Sequence, residues 1–174
     1  MTRTSSAPVV RAAEPADLPR IAAVWEAAWL DGHRGRVPDE LMAARDSRHF
    51  ASFAADRLDT TLVADNGGSD LLGLVIVGTS DGEVIQLAVD RSARGMGVGS
   101  ALLEAAERLI AQTHREAWLA VVPANATARR LYERSGWRDA GPVVHQAPTR
   151  RGTVAVPVHR YVKTVRPGAA DAPG

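Results

Sequence analysis

The sequence contains no cysteine, so neither a disulfide nor a thiolate metal site can form. It also lacks an excess of charge of one sign, because 21 lysine and arginine residues stand against 20 aspartate and glutamate residues, for a net charge of +1. A balanced chain produces no overall field that would attract nucleic acid or a membrane surface. We therefore expect neither as a partner, and any anion site must be local.

Long hydrophobic runs are missing as well. No apolar stretch approaches the ~20 residues that cross a bilayer, and the first segment, MTRTSSAPVVR, has no apolar core of a signal peptide. A cytoplasmic location is the expectation. What the 174 residues do provide is 45% hydrophobic and 24% charged residues. This composition is typical of one soluble domain, which at this size buries roughly 70% of the surface of its unfolded chain.

The two ends of the sequence differ from the rest in composition. MTRTSSAP and VRPGAADAPG consist mainly of small and polar residues with proline or glycine, and such segments cannot bury enough surface to order themselves. We predict flexible tails over residues 1–8 and 166–174 and a single domain over residues 9–165.

Hydrophobic periodicity divides this domain into helices and strands. Apolar residues recur at helical spacing from Leu18 to Trp29, in a helix that Pro15 or Asp17 begins and Gly32 ends. Residues 37–58 predict one or two further helices. Three runs rich in Val, Ile and Leu follow, and the turn-forming residues between them predict an antiparallel meander. A helix, a strand, a helix and two strands complete one α/β domain with a mixed sheet.

A turn with three glycines, Arg94 to Gly99, lies between the last meander strand and the next helix. The unpaired amides and the dipole of a helix start suit phosphate oxygens. A P-loop is excluded, because Gly99 is followed by Ser100 and Ala101 instead of lysine and a hydroxyl residue. A dinucleotide-binding turn is disfavoured, because Ser100 stands where its third glycine belongs. A connection needed only for tight packing remains an alternative.

The turn does match a third pattern, R/Q-x-x-G-x-G/A, through Arg94, Gly97 and Gly99. Downstream, WLAVVPANATARRLYERSGWRDAG supplies a second motif with Asn125, Tyr132, Gly136 and Trp137. With both motifs in this order, the chain from Val9 to Val165 resembles the GNAT superfamily of N-acetyltransferases. In that family the turn binds the pyrophosphate of acetyl-CoA.

The resemblance implies a fold and a reaction. The fold is a mixed, mostly antiparallel sheet of about seven strands, splayed in the middle and flanked by four or five helices. The reaction is acetyl transfer from acetyl-CoA, as cosubstrate, to the primary amine of a small molecule or peptide, by direct attack in a ternary complex. No metal takes part, and homodimers are common in the family. A catalytically silent acyl-CoA-binding sensor or interaction domain is the alternative.

The resemblance also implies roles for individual residues. Tyr132 would assist departure of the thiolate, and the backbone of the strand before the turn would hold the pantetheine arm. The residues expected to bind the cofactor are Leu87, Ala88, Val89, Arg94, Gly95, Met96, Gly97, Val98, Gly99, Ser100, Asn125, Ala128, Arg129 and Tyr132. The last four fall on one helical face by their spacing.

The sequence does not decide which residue would act as the base that takes the proton of the amine. Glu83 heads its strand, and alternation places it on the same face as Ile85 and Leu87, although it also suits an exposed hairpin position. His33 and His145 are further candidates because imidazole titrates near neutral pH. An ordinary surface or hydrogen-bonded histidine is the alternative for each.

Two further positions bear on the acceptor. Trp29 belongs to the apolar stripe of the first helix, and through the loop that follows it is also a candidate for contact with the acceptor. Ala120 stands where ribosomal-protein N-terminal acetyltransferases carry a glutamate, which disfavours that substrate class.

Overall fold

The computed structural model describes residues 7–67 and 70–166, so most of the two predicted tails lies outside the described residues. Within these ranges seven strands form one sheet in the order β1-β2-β3-β4-β5-β7-β6. The strands are β1 (Val9–Ala12), β2 (Thr61–Asp65), β3 (Leu71–Gly78), β4 (Glu83–Val89), β5 (Glu116–Val121), β6 (Arg138–Thr149) and β7 (Gly152–Thr164). The helices are α1 (Leu18–His33), α2 (Asp39–Ala44), α3 (Ser47–Asp56), α4 (Val98–Ile110) and α5 (Ala126–Arg134).

Helices cover both faces of this sheet. On one face α1 and α3 pack through Ile21, Trp25 and Phe50, in a cluster that also contains Leu74 and Ile76 of β3. On the other face α4 buries Leu102, Leu103 and Ala106 in a cluster with Val75 and Val77. The alternate residues of β3 therefore serve opposite cores, which explains why this strand is almost continuously apolar. The predicted mixed sheet flanked by helices is confirmed.

The first helix differs slightly from its prediction. It begins at Leu18, after a 3₁₀ turn over Pro15–Asp17, and it continues through Gly32 to His33. A Cβ on Gly32 would lie 3.1 Å from Nδ2 of Asn125. The glycine therefore permits a close approach between α1 and the start of α5 instead of ending the helix.

The sheet is splayed between β4 and β5. These two strands are its one parallel pair among the described residues, and they share the single register pair Glu83 and Trp118. Toward the carboxyl end of β4, from Val84 to Val89, no residue is paired with β5. An opening therefore lies in the middle of the sheet, as the resemblance implied.

A β-bulge in β4 changes which residues share a face. Gln86 is opposite Ile76 whereas Val84 is opposite Val77, so Ile85 is an extra residue in the ladder. Because an inserted residue reverses the alternation, Glu83 lies on the face of the sheet opposite to Leu87. The prediction that Glu83 and Leu87 lie on the same face of the sheet is therefore wrong, and the physical reason is the extra residue Ile85.

The last two strands form a long hairpin with Arg150 and Arg151 at its tip. β7 pairs with β5 from His159 to Thr164 only, so at Pro157 the side of β7 toward β5 has no ladder partner among the described residues. Proline, which lacks an N–H, is tolerated at such an unpaired edge. None of the helices in the described ranges is both long enough and apolar enough to cross a membrane.

The tight packing of β3 makes one position sensitive to a single methyl group. A Cβ on Gly73 would lie 2.7 Å from the carbonyl oxygen of Ala88 and 2.9 Å from Cδ1 of Leu102. We expect Gly73→Ala to lower the free energy of unfolding by about 1–3 kcal/mol, the usual cost of overpacking a core. Urea denaturation measures this change, and an unaltered midpoint at an unaltered slope would contradict it.

Candidate active site

Two adjoining cavities occupy the opening between β4 and β5 and the ends of the helices around it. We call the first, of about 520 Å³, the turn cavity because the glycine turn lines it. The second, of about 390 Å³, is the aromatic cavity. The residues common to both walls are Ala28, Gly32, Leu87, Asn125, Ala128 and Tyr132. One site thus has two compartments that meet at these residues.

Most of the residues predicted to bind the cofactor line the turn cavity. These are Leu87, Val89, Arg94, Gly95, Gly97, Val98, Gly99, Ser100, Asn125, Ala128 and Tyr132. Three predicted residues do not line it. Ala88 is buried in the core on the α1 side, and the side chain of Met96 is 53% exposed.

Arg129 is the third departure. Its guanidinium donates to the Tyr161 hydroxyl at 3.0 Å, to the Pro123 carbonyl at 3.2 Å and to Asp139 at 3.2 Å, so it lies on the side of α5 toward β6 and β7. Its neighbour Arg130 lines the turn cavity in its place. The helical spacing placed Asn125, Ala128 and Tyr132 together correctly and misplaced Arg129.

The start of α4 in the turn cavity has the features that suit an anion. Gly97 is the N-cap residue with φ 79° and ψ 4°, and no side chain caps the helix. A left-handed N-cap is accessible to glycine at little cost, and nothing lies within 4 Å of where its Cβ would be. The first amides of α4 are therefore free to donate to an anion, and the helix dipole favours negative charge there.

Arg94 has a protein partner that the sequence did not indicate. Asp31 of α1 accepts hydrogen bonds from Arg91 and from Arg94, the latter at 2.7 Å. These two arginines, first Arg91 and then Arg94, hold the pKa of Asp31 well below its usual range. An anion in the turn cavity would share the Arg94 guanidinium with this carboxylate. Arg36 and Arg134 add two more exposed cations to the same wall.

Tyr132 stands at the junction of the two cavities. Its side chain is 9% exposed and packs against Trp137 and Tyr161, with ring centroids 6.3 and 5.9 Å away. Burial raises the pKa of Tyr132 to about 12, so the phenol is protonated at neutral pH. Since no described residue forms a hydrogen bond to its hydroxyl, this O–H is free to donate to a ligand atom.

Asn125 lines both cavities and also caps a helix. Its Oδ1 accepts from the backbone N–H of Ala128 at 3.3 Å, which makes it the N-cap of α5, as its residue type predicts. Its Nδ2 faces Gly32 of α1. The amide therefore fixes the start of α5 where both cavities meet.

The aromatic cavity collects every residue that the sequence proposed for the acceptor side. Glu83, Trp29, His33 and His145 all line it, although they come from β4, α1 and β6. Trp29 and His33 stack with centroids 4.4 Å apart and planes 8° apart. The remainder of the wall is largely apolar and includes Trp25, Phe50 and Phe53.

The candidate bases differ in their surroundings. Burial, and secondarily the charge of Asp81, raises the pKa of Glu83 above its ordinary value. Burial lowers the pKa of His33, and its Nδ1–H donates to the Trp29 carbonyl at 2.8 Å, which leaves the Nε2 lone pair available. His145 is exposed at the rim.

Sequence comparison identifies the family. The profile of the acetyltransferase (GNAT) family matches residues 21–137. The chain belongs to this family. No curated protein matches it at the level of sequence. Within the described residues no group of three or more histidine, aspartate or glutamate side chains is arranged to hold a metal ion.

Solved structures share the fold. A GCN5-related N-acetyltransferase from Rhodopseudomonas palustris superposes with a TM-score of 0.71 at 20% identity, over 94% of this chain and 99% of its own. The protein yncA from Salmonella typhimurium, solved with its cofactor acetyl-CoA, gives a TM-score of 0.69 at 19% identity, over 97% of this chain and 99% of its own. A phosphinothricin acetyltransferase from Sinorhizobium meliloti, in complex with acetyl-CoA, gives 0.70 at 18% over 97% and 94%.

Proposed function

We propose that this GNAT protein transfers the acetyl group of acetyl-CoA to a primary amine of a small molecule or peptide, by direct attack in a ternary complex. The observation that carries the proposal is the free hydroxyl of Tyr132 between a cavity suited to phosphates and a second cavity that contains candidate bases. Donor and acceptor can approach from opposite sides and meet at this side chain.

The turn cavity suits coenzyme A in shape and charge. The diphosphate would lie on the amides from Gly95 to Ser100, with Arg94 beside it, since these groups form the open start of α4. The pantetheine arm would follow β4 at Leu87 and Val89, whose side toward β5 is unpaired, as an added strand does. Acetyl-CoA supplies an activated thioester carbonyl, and everything else in the reaction falls to the residues of the chain.

The reaction consists of three changes that the protein has to assist. The nitrogen lone pair of the amine attacks the carbonyl carbon, the carbon–sulfur bond breaks, and the amine loses a proton. A backbone amide near Leu87 would stabilise the oxyanion. Tyr132 would donate a hydrogen bond to the departing sulfur, because full proton transfer from a phenol of pKa about 12 to a thiolate, whose thiol titrates near 8.5, costs about 5 kcal/mol.

We propose Glu83 as the base, with His33 as the second candidate. Burial raises the pKa of Glu83 and makes its carboxylate a stronger base than that of an exposed glutamate, and no described residue forms a hydrogen bond to that carboxylate. His33 is favoured by its fixed tautomer and free Nε2. Both groups line the aromatic cavity, so either takes the proton directly or through water.

The proposed function is tested by binding and turnover together. Calorimetry with acetyl-CoA is expected to give binding, and an amine panel followed by thiol release is expected to give turnover with at least one amine. Binding without turnover over the whole panel would favour a silent acyl-CoA-binding domain. The absence of any binding would overturn both.

The turn predicts the effect of a charge at Gly97. Both Gly97→Ala and Gly97→Glu carry the cost of a left-handed backbone, about 1–2 kcal/mol of stability, but only glutamate adds bulk and negative charge where the diphosphate would lie. Calorimetry is expected to find acetyl-CoA binding at least about tenfold weaker for Gly97→Glu than for Gly97→Ala. Equal affinities of the two variants would refute the phosphate assignment.

The two tyrosines of the chain form a matched pair for the next prediction. Tyr132→Phe removes the free hydroxyl and is expected to lower kcat by about 10²-fold, with acetyl-CoA affinity nearly unchanged. Tyr161→Phe removes a buried hydroxyl that donates to Glu133 at 2.8 Å, so stability is expected to fall by about 1 kcal/mol with little change in rate. Steady-state kinetics and denaturation compare them. An equal rate loss in both would make Tyr132 merely structural.

The pKa shifts predict the acidic limb of the rate. Burial raises the pKa of Glu83 above its ordinary value. As the pH falls, its carboxylate therefore becomes protonated earlier than that of an exposed glutamate, and kcat/KM decreases with it. Glu83→Gln is expected to lower the rate and to abolish this limb, whereas His33→Gln retains it. If the limb persists in Glu83→Gln and disappears in His33→Gln, His33 is the base. Thiol release from pH 4 to 9 records both profiles.

A further inference from the structure

The aromatic cavity contains a positive charge that no described residue balances. Arg45 lies between α2 and α3, is half-buried and lines this cavity. One of its N–H groups donates to the carbonyl oxygen of Pro148 at 2.9 Å. Within residues 7–67 and 70–166 no aspartate or glutamate forms an ion pair with it. Most of the donors of its guanidinium therefore have no protein acceptor.

Each of the other partly buried arginines in the described residues has a carboxylate or an aromatic ring as its partner. Arg57 lies over the ring of Phe53 and Arg160 over that of Trp118. Arg11 binds Asp17 at 2.8 Å and Asp65 at 2.9 Å, and Arg129 binds Asp139 at 3.2 Å. Arg45 departs from this rule, and burial lowers the pKa of its guanidinium. A charge withdrawn from water without a counter-charge costs free energy, which an anion in the cavity would recover.

The neighbours of Arg45 provide no such anion. Asp46 is adjacent in sequence, but its carboxylate accepts from the His49 backbone N–H at 2.9 Å and from Arg150. His33 and His49 lie close enough for the charge of Arg45 to lower the pKa of both, in addition to the effect of burial. Both imidazoles are thus pushed toward the neutral form, which leaves Arg45 as the cation at this end of the cavity.

At the other end of the cavity the charges offset each other. Arg57 lies over the ring of Phe53, 5.1 Å from its centroid, and its charge lowers the pKa of Glu83 against the larger effect of burial. Glu83 is the one carboxylate among the residues that line the aromatic cavity. Because the positive charge of Arg57 offsets the negative charge of Glu83, Arg45 is the charged residue that remains available to a ligand.

We propose that the acceptor is an amine that also carries a carboxylate, and that the Arg45 guanidinium binds this carboxylate. The inference rests on the proposed acetyl transfer and names the class of molecule that enters the aromatic cavity. The planar fork of arginine matches a carboxylate with two parallel hydrogen bonds. The rings of Trp25, Phe50 and Phe53 supply an apolar wall for the rest of the acceptor, as in an amino acid with an apolar side chain.

This charge arrangement disfavours acceptors that carry several amines. Arg45 and Arg57 both line the cavity, so a second ammonium group would meet like charge at either end. An acceptor whose single amine is directed toward Glu83 and Tyr132 and whose carboxylate is directed toward Arg45 places each of its own charges beside a group of opposite charge.

The test compares amino acids with amines that lack only the carboxylate. Phenylalanine with phenethylamine, and methionine with 3-(methylthio)propylamine, are matched pairs for the thiol-release assay. The wild type is expected to prefer the amino acid by at least about tenfold in kcat/KM, because a site built around a polar group rejects an analogue that lacks it. Equal rates, or a preference for the decarboxylated amine, would overturn the proposal.

Variants assign the preference to one residue. Arg45→Met keeps the apolar stem and is expected to lower kcat/KM for the amino acid by about 10–100-fold, mainly through KM, while the decarboxylated amine is little affected. Arg45→Lys retains the charge and is expected to restore part of the loss. Arg48→Met changes an exposed arginine three residues further along the chain and is the control without effect. Equal losses for both members of a pair would overturn the proposal.

A binding measurement separates this proposal from the proposed function. With the protein saturated with coenzyme A, calorimetry is expected to detect N-acetylphenylalanine more tightly than N-phenethylacetamide, and Arg45→Met to remove the difference. If acetyl-CoA binds and neutral amines are acetylated without this preference, only the carboxylate inference fails. If acetyl-CoA does not bind at all, the proposed function fails and this inference fails with it.

Discussion

The single register pair between β4 and β5 is the constraint from which the site follows. Two parallel strands that stay paired along their length leave no room between them, but here Glu83 and Trp118 are paired and the later residues of β4 are not. Both cavities border this separation, and Leu87 belongs to the walls of both. The unpaired backbone, the buried Tyr132 and the free start of α4 are brought together because the sheet opens where helices cover it.

The end of α1 contacts two other elements that border the cavities. Asp31 of α1 binds Arg91, just before the glycine turn, and Arg94, within it, and Gly32, the next residue, lies against Asn125 of α5. One turn of α1 is thus in contact with the glycine turn on one side and with the start of α5 on the other. The same helix supplies Trp29 to the aromatic cavity, so a displacement of its end would affect both compartments.

The sequence predicted the order of elements, and most of the residues expected to bind the cofactor line the turn cavity, because glycine spacing, helix caps and apolar periodicity are local signals. It could not predict the ion pairs of Asp31 or the lack of a carboxylate partner for Arg45 among the described residues, since both depend on residues that are distant in sequence. It misplaced Arg129 because spacing on a short helix does not reveal that β6 and β7 offer Asp139 and Tyr161 to a long side chain. The relation of Glu83 to Leu87 was wrong because a bulge carries no signature in residue type.

That bulge has a consequence for comparing this chain with its relatives. The extra residue, Ile85, divides β4 into two halves whose side chains are out of phase. A homologue that lacks it would present the opposite set of side chains to α1 and α3 from one half of the strand, even if every residue type were retained. Alignments that slide by one position across residues 83–89 would therefore equate an acid of one protein with a core residue of another. Equivalent positions of two homologues in this strand therefore have to be assigned separately before and after Ile85.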